Sequence, residues 1–154
     1  MSSLLPVVVE LAPQDAVVVR GDVPMAEMPT FFERAFTTAA AAAAAAGVEI
    51  VGPPFGFYPE MPAEIVAIEA GFPVSSRAET AGDAHPFVLP GGRMVRAVHV
   101  GPFETMEKTY GELQAWMAKQ GFHPAVGMWE NYLSDPRVEP DLATWRTEII
   151  WPIT

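Results

Sequence analysis

Apolar and polar positions in the first half of the chain follow the periodicities of strands and of one helix. Valines 7–9 and 17–19 flank the turn-forming Ala-Pro-Gln-Asp, which predicts strand, turn, strand. A helix is predicted from about residue 29 or 30 to Ala46, because Pro suits a first turn, the alanines 39–46 favour helix and Gly47 is a typical stop. Apolar residues over 48–58 and 64–74 predict two further strands, and the polar residues 75–86 predict a connection to the second half.

The second half repeats this order of elements. Residues 93–100 predict a strand after Pro-Gly-Gly, and residues 103–120 predict a helix that ends at Gly121. The helix carries an apolar stripe, formed by Met106, Tyr110, Leu113 and Met117. Strands are predicted over 125–133 and 144–153. Both halves therefore have the order strand, helix, strand, strand.

The two halves also match residue by residue. An offset of 74 places Gly47 on Gly121, Phe55 on Trp129 and Tyr58 on Tyr132, and a slightly larger offset aligns Glu-Ala-Gly-Phe-Pro-Val at 69–74 with Glu-Ile-Ile-Trp-Pro-Ile at 148–153. We therefore expect an α+β fold with pseudo-two-fold symmetry, in which one antiparallel sheet carries both helices on one face. Residues 1–154 would form a single domain with half-repeats of about 1–76 and 93–154, and the groove between them would be the natural pocket.

The composition narrows the class of protein. A chain of 154 residues with 50% hydrophobic content can bury a core without staples, and the lack of cysteine excludes disulfides and thiolate metal sites. No apolar run approaches the ~20 residues of a membrane helix, and no basic, apolar leader is evident. These features predict a cytoplasmic protein that does not insert into membranes.

The charge balance bears on the partners. A net charge of −10 repels nucleic-acid phosphates and attracts cations, although acidity also serves solubility alone. His85, His99 and His123 lack the spacing of metal ligands, and there is no Gly-rich phosphate loop or serine nucleophile motif. We therefore expect no nucleic-acid partner, no metal and no cofactor.

One carboxylate stands out in the predicted strand 125–133. Side chains alternate between the faces of a strand, so Met128, Glu130 and Tyr132 share one face, while Trp129 and Asn131 share the other. Burial penalises the charged carboxylate, and Met and aromatic side chains attract cations by dispersion and cation–π contact. Two interpretations stay open: a cationic ligand binds Glu130, or a backbone amide or Arg146 satisfies it.

A family resemblance rests on several short segments. These are Val-His-Val-Gly-Pro-Phe-Glu-Thr-Met at 98–106, Thr-Tyr at 109–110, Trp116, Trp-Glu-Asn-Tyr-Leu-Ser-Asp-Pro at 129–136 and the hexapeptide 148–153. In order and spacing they resemble the GyrI-like small-molecule-binding domain, also called the bacterial transcription-activator effector-binding domain. The resemblance is strong over 93–154 and fainter over 1–92.

The resemblance implies a function. Relatives bind lipophilic, often cationic compounds in a central cleft against aromatic rings and a buried glutamate, which Glu130 matches. Some relatives carry a helix-turn-helix domain as well, which this sequence lacks, so a transcription factor is disfavoured. We predict binding of a small lipophilic cation. Two alternatives remain: a hydrolase of strained cyclopropane-type electrophiles that uses Glu130 and Tyr110, and an inhibitor that binds a protein such as gyrase or a transcription regulator.

Other residues are candidates for the same pocket. Tyr110 points its hydroxyl into the cleft or packs in the core, and Glu148 faces the cleft or pairs with Arg96. The remaining candidates are aromatic or polarizable side chains that would otherwise belong to the core: Met128, Trp129, Tyr132, Trp116, Phe57, Tyr58, Phe55, Trp145 and Trp151.

Overall fold

The structure is a computed structural model that describes residues 6–61, 63–134 and 138–154. Within these residues the fold is α+β, as predicted, with eight strands and two helices. The elements in chain order are β1 Val7–Leu11, β2 Gln14–Pro24, α1 Met28–Ala46, β3 Phe55–Tyr58, β4 Ile65–Pro73, β5 Ala84–Leu89, β6 Gly92–Val100, α2 Met106–Gln120, β7 Met128–Tyr132 and β8 Arg146–Pro152. No helix in this part of the chain is long and apolar enough to cross a membrane.

The chain divides into two compact units. Residues 12–91 form the contiguous unit, and the residues up to Leu11 join Gly92–Thr154 in the discontinuous unit. The contiguous unit contains the antiparallel strands β3-β4-β2-β5, with α1 packed on β2 and β4. The discontinuous unit contains the antiparallel strands β1-β6-β8-β7 and helix α2.

Both helices form for the reasons that the sequence indicates. In α1, Pro29 lies in the first turn and the buried face is mostly alanine, whose small side chain allows close packing. In α2 the buried residues include Met106, Leu113 and Met117 of the predicted stripe. Each helix ends at a glycine in the left-handed region, Gly47 at φ 72° and Gly121 at φ 79°, where other residues are strained.

The strand registers of the two units match. Phe55 pairs with Gly71 just as Trp129 pairs with Ile150, and Ala16 pairs with Pro73 just as Met94 pairs with Pro152. Two isolated bridges, Ile50 to Val74 and Pro124 to Ile153, are equivalent as well. Each compact unit therefore contains one copy of the strand–helix–strand–strand repeat. The two copies align as the helix-ending glycines and the hexapeptides predict.

The edge strands depart from the expected half-repeats. β1 is separated from β2 by two residues only, yet it pairs with β6, so the compact unit that contains α1 begins at Ala12 rather than near residue 1. β5, which starts inside the segment predicted to be a polar connection, pairs with β2. β1 comes directly before the first repeat and pairs with β6, the first strand of the second repeat. In the same way, β5 comes directly before the second repeat and pairs with β2, the first strand of the first repeat.

Candidate functional site

Glu130 lies in the middle of β7, buried to 9% exposure. The Tyr132 hydroxyl donates a hydrogen bond of 2.9 Å to Oε1, and the Tyr110 hydroxyl donates a short hydrogen bond to Oε2. Both oxygens therefore accept from a phenol, whereas the sequence left a backbone amide or Arg146 open as partner. A carboxylate oxygen has two lone pairs, so it can accept from more than one donor.

Helix α2 covers the face of the sheet on which Glu130 lies. The Tyr110 ring packs edge-on against the Trp151 ring at 5.9 Å, and its hydroxyl is 4.0 Å from the Met128 sulfur. Met128, Glu130 and Tyr132 thus share one face with the helix, as the alternation predicts. We call the α2 side of the strands β6, β8 and β7 the site face.

A second polar group lies on the site face, on β6. His99 is buried, its Nδ1 is 2.6 Å from Thr109 Oγ1, and its Nε2 is 2.9 Å from the Pro102 carbonyl. A carbonyl only accepts, so Nε2 carries the proton in this hydrogen bond, and in the neutral ring Nδ1 accepts from the Thr109 hydroxyl. The ring therefore ties the connection after β6 to the first turns of α2. Neither His99 nor Thr109 was predicted to have this role.

Thr147 on β8 lies between these two groups. It is the direct cross-strand partner of His99 on one side and of Tyr132 on the other, and directly opposed residues share a face of the sheet. Its exposure is 1%, and its hydroxyl has no hydrogen-bond partner among the residues that the structure describes. The sequence analysis did not single out Thr147.

Glu148 lies on the opposite face of β8. Its Oε1 accepts a hydrogen bond of 2.8 Å from the Asn131 side chain, and its Oε2 is 3.7 Å from Arg96 Nε. This matches the ion-pair alternative rather than the cleft alternative. The structure therefore does not bring Glu148 together with Glu130, and a ligand role for Glu148 remains a prediction.

The other candidates are distributed between the two units. Trp129 is buried and alternates with Glu130, so it lies on the other face of β7, and Trp116 packs against Phe122 with ring centroids 6.0 Å apart. Phe57 and Tyr58 belong to the contiguous unit, where both are buried and the Phe57 ring is 5.0 Å from Phe87. Their ligand contacts stay predictions.

The repeat provides an internal comparison for the site. The equivalent registers place Gly56 where the discontinuous unit has Glu130, and Phe36 lies at the same distance from the helix-ending glycine as Tyr110. Phe36 packs on Phe72 at 5.7 Å, close to the 5.9 Å between Tyr110 and Trp151. The contiguous unit thus keeps the ring packing and has Tyr58 where the other unit has Tyr132, but it lacks both the carboxylate and the equivalent of the Tyr110 phenol.

The same substitution pattern extends along the site face. Gly21 replaces His99, Ala35 replaces Thr109, and Ile68 replaces Thr147 at equivalent positions. The space over Gly21 is filled by the Phe31 ring, which would lie 2.6 Å from an added Cβ. The contiguous unit therefore folds with glycine or apolar residues at these positions. The polar residues at the equivalent positions of the discontinuous unit are not required by the shared fold.

Metal ligation has no geometric basis in this arrangement. In the described ranges 6–61, 63–134 and 138–154, no three His, Asp or Glu side chains are grouped so that they could hold a metal ion. The chemistry that the site offers is that of a buried carboxylate, two phenols bonded to it and nearby aromatic rings.

The sequence matches the family of the GyrI-like small molecule binding domain over residues 6–154, and the chain belongs to this family. The resemblance stated from the short segments is thereby confirmed, and it extends through the first half as well. No curated protein matches the chain.

Several solved structures share the fold. The C-terminal domain of EcmrR superposes with a TM-score of 0.83 at 20% identity, covering 98% of each chain. The superposition on EcmrR in an EcmrR–DNA complex includes 98% of this chain but only 57% of the EcmrR chain. A hydrolase from Listeria innocua superposes with a TM-score of 0.68 at 15% identity, and the match covers 97% of this chain and 91% of the hydrolase. SAV2435 bound to tetraphenylphosphonium superposes with a TM-score of 0.61 at 10% identity, and the match covers 97% of this chain and 93% of SAV2435.

Proposed function

We propose that the protein binds a small lipophilic cation at Glu130, whose carboxylate is held in place by the Tyr110 and Tyr132 phenols before the ligand binds. The internal repeat is the observation that carries this proposal. Gly56 and Phe36 occupy the equivalent positions in a unit with the same strand register, so the fold does not require an acid or a phenol there. A buried carboxylate that packing does not need is best explained by a ligand.

The energetics favour a cation as this ligand. Burying an ionised carboxylate costs free energy, and a cation beside it adds Coulomb attraction in a medium of low dielectric. The Tyr110 and Trp151 rings and the Met128 thioether beside the carboxylate suit the aromatic groups of a lipophilic cation. The net charge of −10 attracts cations to the protein.

A structural relative supports the same ligand class. SAV2435 has this fold and was solved with tetraphenylphosphonium, a rigid aromatic cation without hydrogen-bond donors. At 10% identity the likeness concerns the fold, and the choice of ligand for this chain rests on the Glu130 geometry. Tetraphenylphosphonium is therefore a suitable first probe.

The test is a calorimetric titration with tetraphenylphosphonium and with neutral triphenylphosphine oxide, which keeps three of the four phenyl rings and carries no net charge. Glu130→Gln keeps the side-chain volume and removes the charge, so we expect a loss of roughly 2–5 kcal/mol in cation binding and little change for the neutral compound. Equal weakening of both compounds would contradict the electrostatic role of Glu130.

Glu148→Gln is the matched control. It removes the same charge from the same sheet on the opposite face, where Glu148 already pairs with Arg96 and Asn131. We expect it to change cation affinity far less than Glu130→Gln does. An equal loss would place Glu148 in the ligand site, and no binding of any cation by the wild type would favour a protein partner instead.

A hydrolase is the second candidate, and the direct hydrogen bond between Tyr110 and Glu130 supports it. Hydrolysis of a strained electrophile needs one group that activates water or stabilises developing positive charge and another that orients the leaving atom. These two side chains meet at one point, and a Listeria innocua hydrolase shares the fold.

Mass spectrometry separates this candidate from passive binding. A strained cyclopropane compound incubated with the protein would gain the mass of water if it is hydrolysed. Turnover by the wild type that both Glu130→Gln and Tyr110→Phe lose would establish the hydrolase. An unchanged compound that nevertheless binds with a measurable Kd would establish binding alone.

A further inference from the structure

The buried hydroxyl of Thr147 has no role in the fold that the structure describes. Its exposure is 1%, and no described residue bonds to its Oγ1. A buried polar group without a partner costs about 1–3 kcal/mol. Ile68 fills the equivalent position in the other repeat, also at 1% exposure, so an aliphatic side chain satisfies the packing there. The chain therefore carries a destabilising hydroxyl where the repeat shows that none is needed.

The position of Thr147 connects it to the Glu130 site. It faces Tyr132 directly across the β7–β8 pairing, and Glu130 lies two residues further along β7 on the same face. Such a diagonal neighbour lies about 7–8 Å away, with the Cβ atoms somewhat closer. A single small molecule held by the Glu130 carboxylate is thus long enough to reach the Thr147 hydroxyl.

Access depends on Tyr132. This side chain is only partly buried, whereas Thr147 is enclosed, and Tyr132 is its direct cross-strand neighbour. The Tyr132 hydroxyl bonds to Oε1 of Glu130. Contact between a ligand and the Thr147 hydroxyl requires the Tyr132 ring to change rotamer, while the Tyr110 hydroxyl continues to hold the carboxylate through Oε2.

We propose that Thr147 is a specificity-determining residue that hydrogen-bonds a neutral polar group of the ligand. The ligand class is accordingly a lipophilic cation with a hydroxyl, carbonyl or amide about 6–8 Å from its charge, which the Thr147–Glu130 spacing sets. This inference rests on the proposed cation site at Glu130. It adds a second anchor that distinguishes such ligands from purely apolar cations.

Two probes of equal shape test the inference. Both are tetraphenylphosphonium derivatives with one para substituent, hydroxymethyl in the first and ethyl in the second, so that a methyl group in the second probe replaces the hydroxyl of the first. The ratio of their dissociation constants is measured for the wild type, Thr147→Val and Thr147→Ser. Valine keeps the shape of threonine and removes the hydroxyl, while serine keeps the hydroxyl.

We expect Thr147→Val to reduce the preference for the hydroxymethyl probe by about fivefold to tenfold, because one buried hydrogen bond is lost, and Thr147→Ser to retain it. Affinity for the ethyl probe should stay within about twofold. Without ligand, Thr147→Val should melt no lower than the wild type, since the hydroxyl has no partner to lose.

The outcomes separate the two proposals. Unchanged probe preference in Thr147→Val, or an equal loss for both probes, would overturn the role of Thr147 while leaving the cation site intact. A lower melting temperature of unliganded Thr147→Val would also overturn it, because it would reveal a structural bond of the hydroxyl. If the wild type bound neither probe, the cation site itself would be refuted, and the role of Thr147 with it.

Discussion

The bond between Tyr110 and Glu130 should make a measurable contribution to stability that depends on the carboxylate. Tyr110→Phe removes one hydroxyl and leaves the ring. The ring packing itself should survive, because Phe36 packs on Phe72 in the equivalent geometry, with ring centroids 5.7 Å apart compared with 5.9 Å for Tyr110 and Trp151. The free-energy change therefore reports on the hydrogen bond.

A hydrogen bond to a charged group contributes about 1.5–3 kcal/mol, and Glu130 is 9% exposed, so water replaces the lost phenol poorly. Tyr132 still donates to the other oxygen, which keeps the expected loss at about 1–3 kcal/mol. Urea unfolding near neutral pH resolves a change of this size, provided that the urea dependence of the free energy is the same in each variant.

The decisive comparison places Tyr110→Phe in a Glu130→Met background. Methionine fills a similar volume without a carboxylate, so the Tyr110 hydroxyl loses its charged acceptor and its removal should cost much less than in the wild type. The cycle then isolates the pair energy. An equal loss in both backgrounds would show that the Tyr110 hydroxyl contributes to stability independently of the Glu130 carboxylate, and the proposed role of this pair would be wrong.

Three glycine positions allow further stability predictions. Gly71→Ala should destabilise the protein by more than ~4 kcal/mol, because the added Cβ would lie 1.8 Å from the Val17 carbonyl oxygen. In contrast, an added Cβ at Gly111 in α2 has no neighbour within 4 Å, so Gly111→Ala should stabilise the protein by about 1 kcal/mol in the same urea assay. A tolerated Gly71→Ala would contradict the close approach of β4 to β2. Gly121→Ala should lower the free energy of unfolding by about 1–2 kcal/mol through its left-handed backbone at φ 79° alone, or about 2–8 °C in Tm, and an unchanged Tm would count against that conformation.

Periodicity predicted most of the elements because their signals are local. The α2 stripe, the helix-ending glycines and the alternation of Met128, Glu130 and Tyr132 all depend on neighbours within a few residues. The strand predicted over 48–58 is shorter in the structure, where β3 begins only at Phe55 after two prolines. Proline donates no backbone hydrogen bond and removes these positions from a strand pairing.

Strand partners were less predictable, because pairing is a tertiary property. β5 contains Pro86 and follows a polar segment, both of which argue against a strand, yet it lies at the edge of its unit, where proline is tolerated. β1 carries a valine run that predicts a strand but contains nothing that identifies β6 as its partner. Neighbouring strands pair more often than not, and here both edge strands depart from this tendency.

The site was predictable in part. Glu130 stands out because a carboxylate between methionine and tyrosine is unusual on one face of a strand, and the repeat alignment already placed Tyr58 on Tyr132. The Tyr110 contact required the position of α2 over β7. Thr147 has no sequence signal of its own, since threonine is common in strands. Only its alignment with Ile68 shows a polar residue at an aliphatic position.

The exchanged edge strands affect the order in which the two units can be completed during synthesis. Residues 12–91 are contiguous, so the contiguous unit has every strand available once its last residue has left the ribosome. The discontinuous unit needs β1 from the beginning of the chain and β6, α2, β7 and β8 from its end, which closes a loop of the whole intervening unit. The unit with Glu130 is therefore completed last, and its edge strand waits, with exposed valines, for a partner translated some eighty residues later.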